Sequence, residues 1–356
     1  MDFSYIAERM IEENASDAFV RAGSVLKGRV LGEVRPIDDY EFLSQDLDKI
    51  IAEILPQELK DNFLKRKSCE FAIWFKEYWR FRMSIFYQRN TVALVIRKID
   101  LRVPTFTELN LPSTVLERFC QEKRGLILLT GITGSGKSTT IASMIEYINC
   151  NFGRHILTVE EPIEFTFFDK KSIINQREIG KDVSSYQEAL RQFALHSPDV
   201  LFIGNIRDQD TCYAALTAAE TGILVFSTLH TVNASTTIER IINFFPPYQH
   251  SFILMQLSVL LKGVICLRLL PRVDKKGLIP AYEIMTLSPT ISRLLRENKL
   301  WEIPKYIASG EIYGMKSFDQ SLLELVERRI ISPQLALGYA DKKEEFHLNL
   351  KRRDLI

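Results

Sequence analysis

Gly131-Ile132-Thr133-Gly134-Ser135-Gly136-Lys137-Ser138 is the stretch that decides the fold. It matches the phosphate-loop pattern G-x-x-x-x-G-K-[ST] at every fixed position. Leu126 to Thr130 runs into it as an apolar strand, and Ile141, Met144, Ile145 and Ile148 follow at i, i+3, i+4 and i+7, the spacing of a helix. Strand, glycine loop and helix in that order let backbone N–H groups and a helix N-terminus close around phosphate oxygens. Gly131, Thr133, Gly134, Ser135, Gly136, Lys137, Ser138 and Thr139 are therefore the candidate nucleotide-binding residues. Lys137 is expected to reach the β- and γ-phosphates of a nucleotide, and Ser138 to bind Mg2+.

Further along, the pattern repeats. Ile156 to Val159 reads as a strand ending in Glu160-Glu161-Pro162-Ile163-Glu164. In open α/β sheets, residues at carboxyl strand ends lie where ligands bind, so one of these acids could orient or deprotonate a water. Asp199 to Gly204 reads as another strand and delivers Asn205; an acid is common at this position near Mg2+, whereas an amide brings no charge and cannot act as a base. Thr211 to Glu220 reads as a helix ending at Gly222, and Leu224 to Leu229 as a strand delivering His230. The alternation is that of a mainly parallel sheet.

The first hundred residues read differently, as a small α+β unit with short strands from Ala15 to Ile37. Phe42 to Phe63 has helical spacing broken by Pro56. Trp79, Phe81, Met83 and Ile85 alternate with Arg80, Arg82 and Ser84, which puts both arginines on one face of a strand. Between Lys65 and Asp100 stand nine Lys/Arg (65, 66, 67, 76, 80, 82, 89, 97, 98) against three acids, Glu70, Glu77 and Asp100. The two readings are a solvated strand face or a basic surface for phosphate or an acidic partner. Arg102 to Pro112, with two prolines, reads as a linker.

Composition limits what else the chain does. Its 356 residues suit two domains, and 46% hydrophobic residues suffice for ordinary cores. A formal charge of +1 argues against coating nucleic acid through bulk positive charge. Cys69, Cys120, Cys150, Cys212 and Cys266 contain no C-x-x-C pair, so reduced thiols are expected, with neither a disulfide framework nor a zinc knuckle. The most apolar region, Phe252 to Leu270, is interrupted by Lys262 and Arg268 and falls short of the ~20 residues of a membrane span.

Taken together, GITGSGKSTT from Gly131, TVEEPIEF from Thr158, INQREIGKD from Ile174, LFIGNIRD from Leu201 and AAETGILVFSTLHT from Ala218 resemble the secretion-type ATPases, specifically the PilT/PilU class of type IV pilus retraction motors. NASDAFVRAG from Asn14, ISRLLRENK from Ile291 and GMKSFDQSL from Gly314 extend the resemblance over nearly the whole chain. RIINFFP from Arg240, VPTFTELNLP from Val103 and the tail ending FHLNLK look nearer to the PilU branch. The resemblance implies a PAS-like α+β N-terminal domain (1–101), a linker (102–112), a RecA-like P-loop ATPase core (113–280) and a helical C-terminal region (281–356). It implies a cytoplasmic homo-hexamer at the pilus base, peripheral to the inner membrane, that works on a membrane platform protein, with a paralogous retraction ATPase as a further candidate partner and with no nucleic acid. Carried onto this sequence, Glu164 is the catalytic glutamate and His230 marks the histidine box. Arg82, Arg97 and Arg124 are the arginines that approach nucleotide, and Ser138, Glu164 and Asn205 surround Mg2+. Two positions depart from the family: its Walker B glutamate falls at Asn205, and a usual histidine is Ile223. A ring subunit that binds ATP and hydrolyses it weakly is therefore an alternative expectation, and a RecA-like nucleic-acid motor a third.

Overall fold

Alternation of large apolar with polar residues from Phe81 to Ile85 turns one face of the first sheet into its core. In the computed structural model, which describes residues 1–76, 79–99 and 102–356, the chain divides into two compact units, Met1–Arg102 and Val103–Ile356. The first contains α1 (Phe3–Glu12), β1 (Asp17–Arg21), β2 (Ser24–Val30), β3 (Glu33–Phe42), α2 (Ser44–Ile54), α3 (Gln57–Arg66), β4 (Ser68–Phe75), β5 (Trp79–Gln88) and β6 (Thr91–Ile99). The strands pair antiparallel in the order β3-β2-β1-β6-β5-β4. Phe81, Met83 and Ile85 of β5 are buried against Ile6 and Met10 of α1 and Leu47 and Ile50 of α2. Two-residue hairpins set the register: Arg89 and Asn90 both take positive φ (47° and 63°), as do Leu31 and Gly32 (52° and 89°), the backbone that matches strand twist. Pro56 stands at the start of α3, which is why the apolar run from Phe42 to Phe63 makes two helices.

Three cations of the basic stretch pair with acids in the structure. Arg82 and Arg97 are cross-strand neighbours on β5 and β6. Arg82 meets Glu70 at 2.6 Å, Arg97 meets Asp17 at 2.8 Å, and Lys76 meets Glu8 at 2.9 Å. Glu77 and Asp100, counted in the charge balance of this stretch, lie outside the described residues.

The second unit contains α4 (Ser113–Gln121), β7 (Gly125–Thr130), α5 (Lys137–Asn151), β8 (His155–Glu160), β9 (Ile173–Glu178), α6 (Tyr186–His196), β10 (Val200–Ile203), α7 (Gln209–Glu220), β11 (Leu224–Leu229), α8 (Ala234–Ile242), α9 (His250–Leu260), β12 (Leu261–Pro271), β13 (Leu278–Thr286), α10 (Pro289–Arg296), α11 (Ile303–Ala308), α12 (Phe318–Glu327), α13 (Pro333–Tyr339) and α14 (Lys343–Arg352). The sheet order is β13-β12-β7-β11-β10-β8-β9, parallel except for β13. Every residue of β7, β10 and β11 is buried, as strands covered on both faces must be. Because β7, β8, β10 and β11 run parallel, their carboxyl ends share one sheet edge. That edge receives the glycine loop, the acidic segment, Asn205 and His230.

Three local outcomes bear on the domain layout. Phe106 and Leu111, inside the expected linker, are buried in the core of the second unit, and Ser143 Oγ donates to Pro104 O at 2.5 Å. β13 carries the sheet to Thr286, so the helices begin at Pro289. The apolar run from Phe252 to Leu270 is half helix and half strand, turning at Leu261; among the described residues no helix is long and apolar enough to cross a membrane.

Glu283 on β13 is a buried acid with a structural partner: its Oε1 accepts from the N–H of Ala234, the first residue of α8, at 2.8 Å. Burial pushes its carboxyl up to about 7 from the usual 4.5. Between those values the folded chain keeps a proton that the unfolded chain has released. This group's stabilisation is therefore complete below about 4.5 and lost as pH rises through 7. Glu283→Gln keeps the acceptor and removes the charge. It is expected to raise unfolding free energy at pH 8 by on the order of 1–3 kcal/mol and to leave it nearly unchanged at pH 5. Urea unfolding at the two pH values measures this; an equal effect at both would contradict it.

Candidate functional site

Glycine conformations shape the phosphate loop. Gly131, Gly134 and Gly136 have φ of 146°, 78° and 94°, values L side chains avoid. A Cβ on Gly131 would lie 2.4 Å from Ser135 Oγ and 2.6 Å from Leu267 O, so only hydrogen fits. Lys137 opens α5 and is 8% exposed. Its ammonium donates to Gly131 O at 2.8 Å and Ile132 O at 2.9 Å. Burial lowers its pKa, opposed by the nearby Glu164 charge. A desolvated cation beside a helix N-terminus makes this edge of the sheet an anion-binding surface. Gly131 and Ser135 are buried in the loop, Thr133 and Gly134 are exposed, and Ser138 and Thr139 follow Lys137 in the first turn of α5.

Opposite the loop stands the acidic segment. Ser138 Oγ donates to Glu164 Oε1 at 3.0 Å, joining two residues 26 positions apart. Glu160 is buried; Thr158 Oγ1 donates to it at 2.7 Å and Gln176 Nε2 at 3.2 Å, while burial pushes its carboxyl up to about 7. Glu161 pairs with Arg207 at 3.1 Å, and the Arg207 guanidinium lies 5.2 Å from the centre of the Tyr186 ring. Burial pushes the Tyr186 hydroxyl up to about 12. A cavity of about 240 Å³ joins these groups; Ser138, Glu160, Glu164, Asn205 and Arg207 are among its lining residues.

Asn205 follows β10 at the cavity wall. Its Oδ1 is buried with no hydrogen-bond partner among the described residues, and so is Ser135 Oγ. Buried oxygens without donors are costly, on the order of 1–3 kcal/mol each, and mark places where a ligand supplies the missing partner. Ser138 Oγ, Glu164 and Asn205 Oδ1 are oxygen donors of the hard type that Mg2+ takes, so the residues fit that ion. His230 lies just past β11. Partial desolvation and then the Lys137 charge hold its pKa below the usual imidazole value, which favours the neutral ring.

The structure thus brings Lys137, Ser138, Glu164, Asn205 and His230 to one edge. Arg82 and Arg97 belong to the first unit and are paired there with acids. Arg124 precedes Gly125 at the amino end of β7, the opposite edge of the sheet from the loop. Six strand residues separate it from Gly131, about 20 Å, so it cannot reach a nucleotide on its own chain's loop. Sequence reasoning gave no role to Arg207, Tyr186, Asn149 or Gln176. The only signal for Gln176 was its place in the INQREIGKD segment.

Comparison with known proteins is consistent along the chain. The family model described as type II/IV secretion system protein matches residues 68–289. The chain is 36% identical to the type IV pilus ATPase PilU of Pseudomonas aeruginosa, over 99% of this chain and 92% of that protein. It is 37% identical to the pilus retraction ATPase PilT of the same organism, over 97% of this chain and 100% of that one. Those identities do not separate the two branches. A crystal structure of the pilus retraction motor PilT with bound ADP superposes with a TM-score of 0.89 at 39% identity, covering 97% of this chain and 98% of that one.

Proposed function

The chain belongs to the type II/IV secretion system proteins and, within them, to the PilT/PilU-type pilus retraction ATPases, and from that premise we propose that it hydrolyses ATP to drive type IV pilus retraction. The carrying observation is the Ser138–Glu164 contact, which sets a carboxylate at the mouth of a phosphate loop. Backbone N–H groups from Gly134 to Thr139 hold the phosphates, and Lys137 transfers its donors from the loop carbonyls to them. Glu164 orients the attacking water and accepts its proton. Asn205 holds a water through Oδ1, and His230, neutral, senses the terminal phosphate. Mg2+, held by Ser138 with Glu164 and Asn205 around it, would supply positive charge to the β- and γ-phosphate oxygens.

Arg82 and Arg97 are proposed to add cationic charge to nucleotide, exchanging Glu70 and Asp17 for phosphate. Arg124 would serve the nucleotide of a neighbouring copy. A homo-hexameric ring on the cytoplasmic side of the inner membrane, pushing on a platform protein, is the assembly this reading requires.

Asn205 favours a second reading: a nucleotide-binding subunit that hydrolyses slowly and supports a paralogous motor. Asn205→Glu separates the two. A rise in ATP turnover of about tenfold or more, equal to about 1.4 kcal/mol of barrier, identifies the amide as a brake and favours the supporting subunit. Turnover within about twofold of the natural chain is the result expected of an active motor. Phosphate release at saturating ATP measures it.

A further inference from the structure

Glu164 lies on a segment that no ladder supports. Residues 161–170, all described, form neither helix nor strand. Yet catalysis needs the Glu164 carboxylate fixed within a fraction of an ångström; the Glu160 carboxyl accepts from the Glu164 N–H, and two amide side chains from flanking elements hold the backbone beyond it.

Gln176 sits on β9, the edge strand, in register with Thr158 of β8. Its Nε2 donates to Phe165 O at 2.8 Å and to Glu160 Oε1 at 3.2 Å, and its Oε1 accepts from Phe167 N at 2.9 Å. One carboxamide thus grips the carbonyl directly after Glu164, the N–H two residues later, and the buried acid before the loop. Only one orientation of the amide makes all three bonds, since Phe165 offers an acceptor and Phe167 a donor. Asn149 of α5, fully buried, does the same downstream: Nδ2 donates to Phe168 O at 2.9 Å and Oδ1 accepts from Lys170 N at 3.1 Å. Phe165 and Phe167 also line the cavity with Ser138 and Glu164, so moving either moves the cavity wall.

We propose that Gln176 is the positioning residue of the acidic loop, setting where the Glu164 carboxylate stands relative to Ser138. This rests on the role given to Glu164. A glutamate at 176 lacks both N–H donors and brings a charge against Glu160; a leucine lacks donors and acceptor alike. An asparagine is one methylene short of the same three partners.

The experiment compares Gln176→Glu, Gln176→Leu and Glu164→Gln, each in the natural chain and in the Asn205→Glu background. It reads kcat, KM, affinity for a non-hydrolysable ATP analogue, and hydrogen exchange at the Phe167 amide. Both Gln176 variants are expected to lower kcat on the order of 10- to 100-fold, as misplacement by about 1 Å does, with analogue affinity within about threefold. Phe167 exchange should accelerate while the amides of β7 and β11 stay protected. Unchanged kcat beside an inactive Glu164→Gln, or unchanged Phe167 exchange, overturns the proposal while sparing the role of Glu164. An active Glu164→Gln overturns that role itself. Parallel loss of affinity and kcat would make Gln176 a nucleotide-binding or folding residue and also overturn it. Should the leucine variant fail to fold, the near-isosteric glutamate variant decides.

Discussion

Lys137→Ala is expected to bring ATP hydrolysis down to background and to weaken ATP binding on the order of 10²- to 10³-fold. Lys137 is a buried residue whose ammonium donates to the loop carbonyls of Gly131 and Ile132 and lies in the field of Glu164. Removing one partner of a desolvated charge pair costs on the order of 3–5 kcal/mol, which is that loss of affinity. The Gly131 and Ile132 carbonyls also lose a donor, so a modest drop in melting temperature accompanies it. Lys137→Arg should not rescue, because a planar guanidinium cannot take the place of a compact ammonium inside the loop. Calorimetric titration with an ATP analogue measures the loss. Affinity within about threefold of the natural chain would mean that the nucleotide does not sit on this loop.

Glu164→Gln is expected to behave differently: turnover falls on the order of 10²- to 10⁴-fold while ATP affinity stays within about threefold. The amide keeps an oxygen for Ser138 Oγ, 3.0 Å away, so the loop geometry is retained. What it loses is the ability to take a proton. Asn205 cannot compensate, being an amide already, and Glu160 is buried with its oxygen engaged by Thr158 and Gln176. Phosphate release together with a fluorescent-nucleotide titration separates chemistry from binding. Joint loss of both would show that Glu164 binds rather than catalyses.

Much of this site can be read from the chain because its parts are local. The phosphate loop is one continuous segment whose glycines, lysine and following helix carry their own conformational signature. Strand ends at Glu160, Ile203 and Leu229 could be placed because buried parallel strands are nearly all apolar. The alternation of β5 likewise foretold which face carries Arg80 and Arg82. What stayed hidden depends on reach between elements. Nothing in spacing says that Gln176 grips Phe165 and Phe167, or that Asn149 holds Phe168 and Lys170. The basic excess on β4 to β6 looked free because Asp17, the partner of Arg97, stands 80 residues away. Phe252 to Leu270 is mostly apolar on both sides of Leu261, so its change from helix to strand there leaves no clear periodic trace. β13 carries Pro280 and Glu283 among apolar residues, and its pairing with β12 is what extends the sheet to Thr286. Arg124 adjoins β7 in sequence, and that adjacency sets it at the amino end of the strand, away from its own chain's loop.

Everything proposed for this site requires that it turn over ATP with an amide at Asn205. The direct measurement is phosphate released per minute by the purified natural chain at saturating Mg·ATP, set beside the same chain carrying Lys137→Ala. Steady release through many turnovers is expected of the natural chain, and none above background of the variant. Identical background release from both, with ATP still bound by the natural chain, would contradict it.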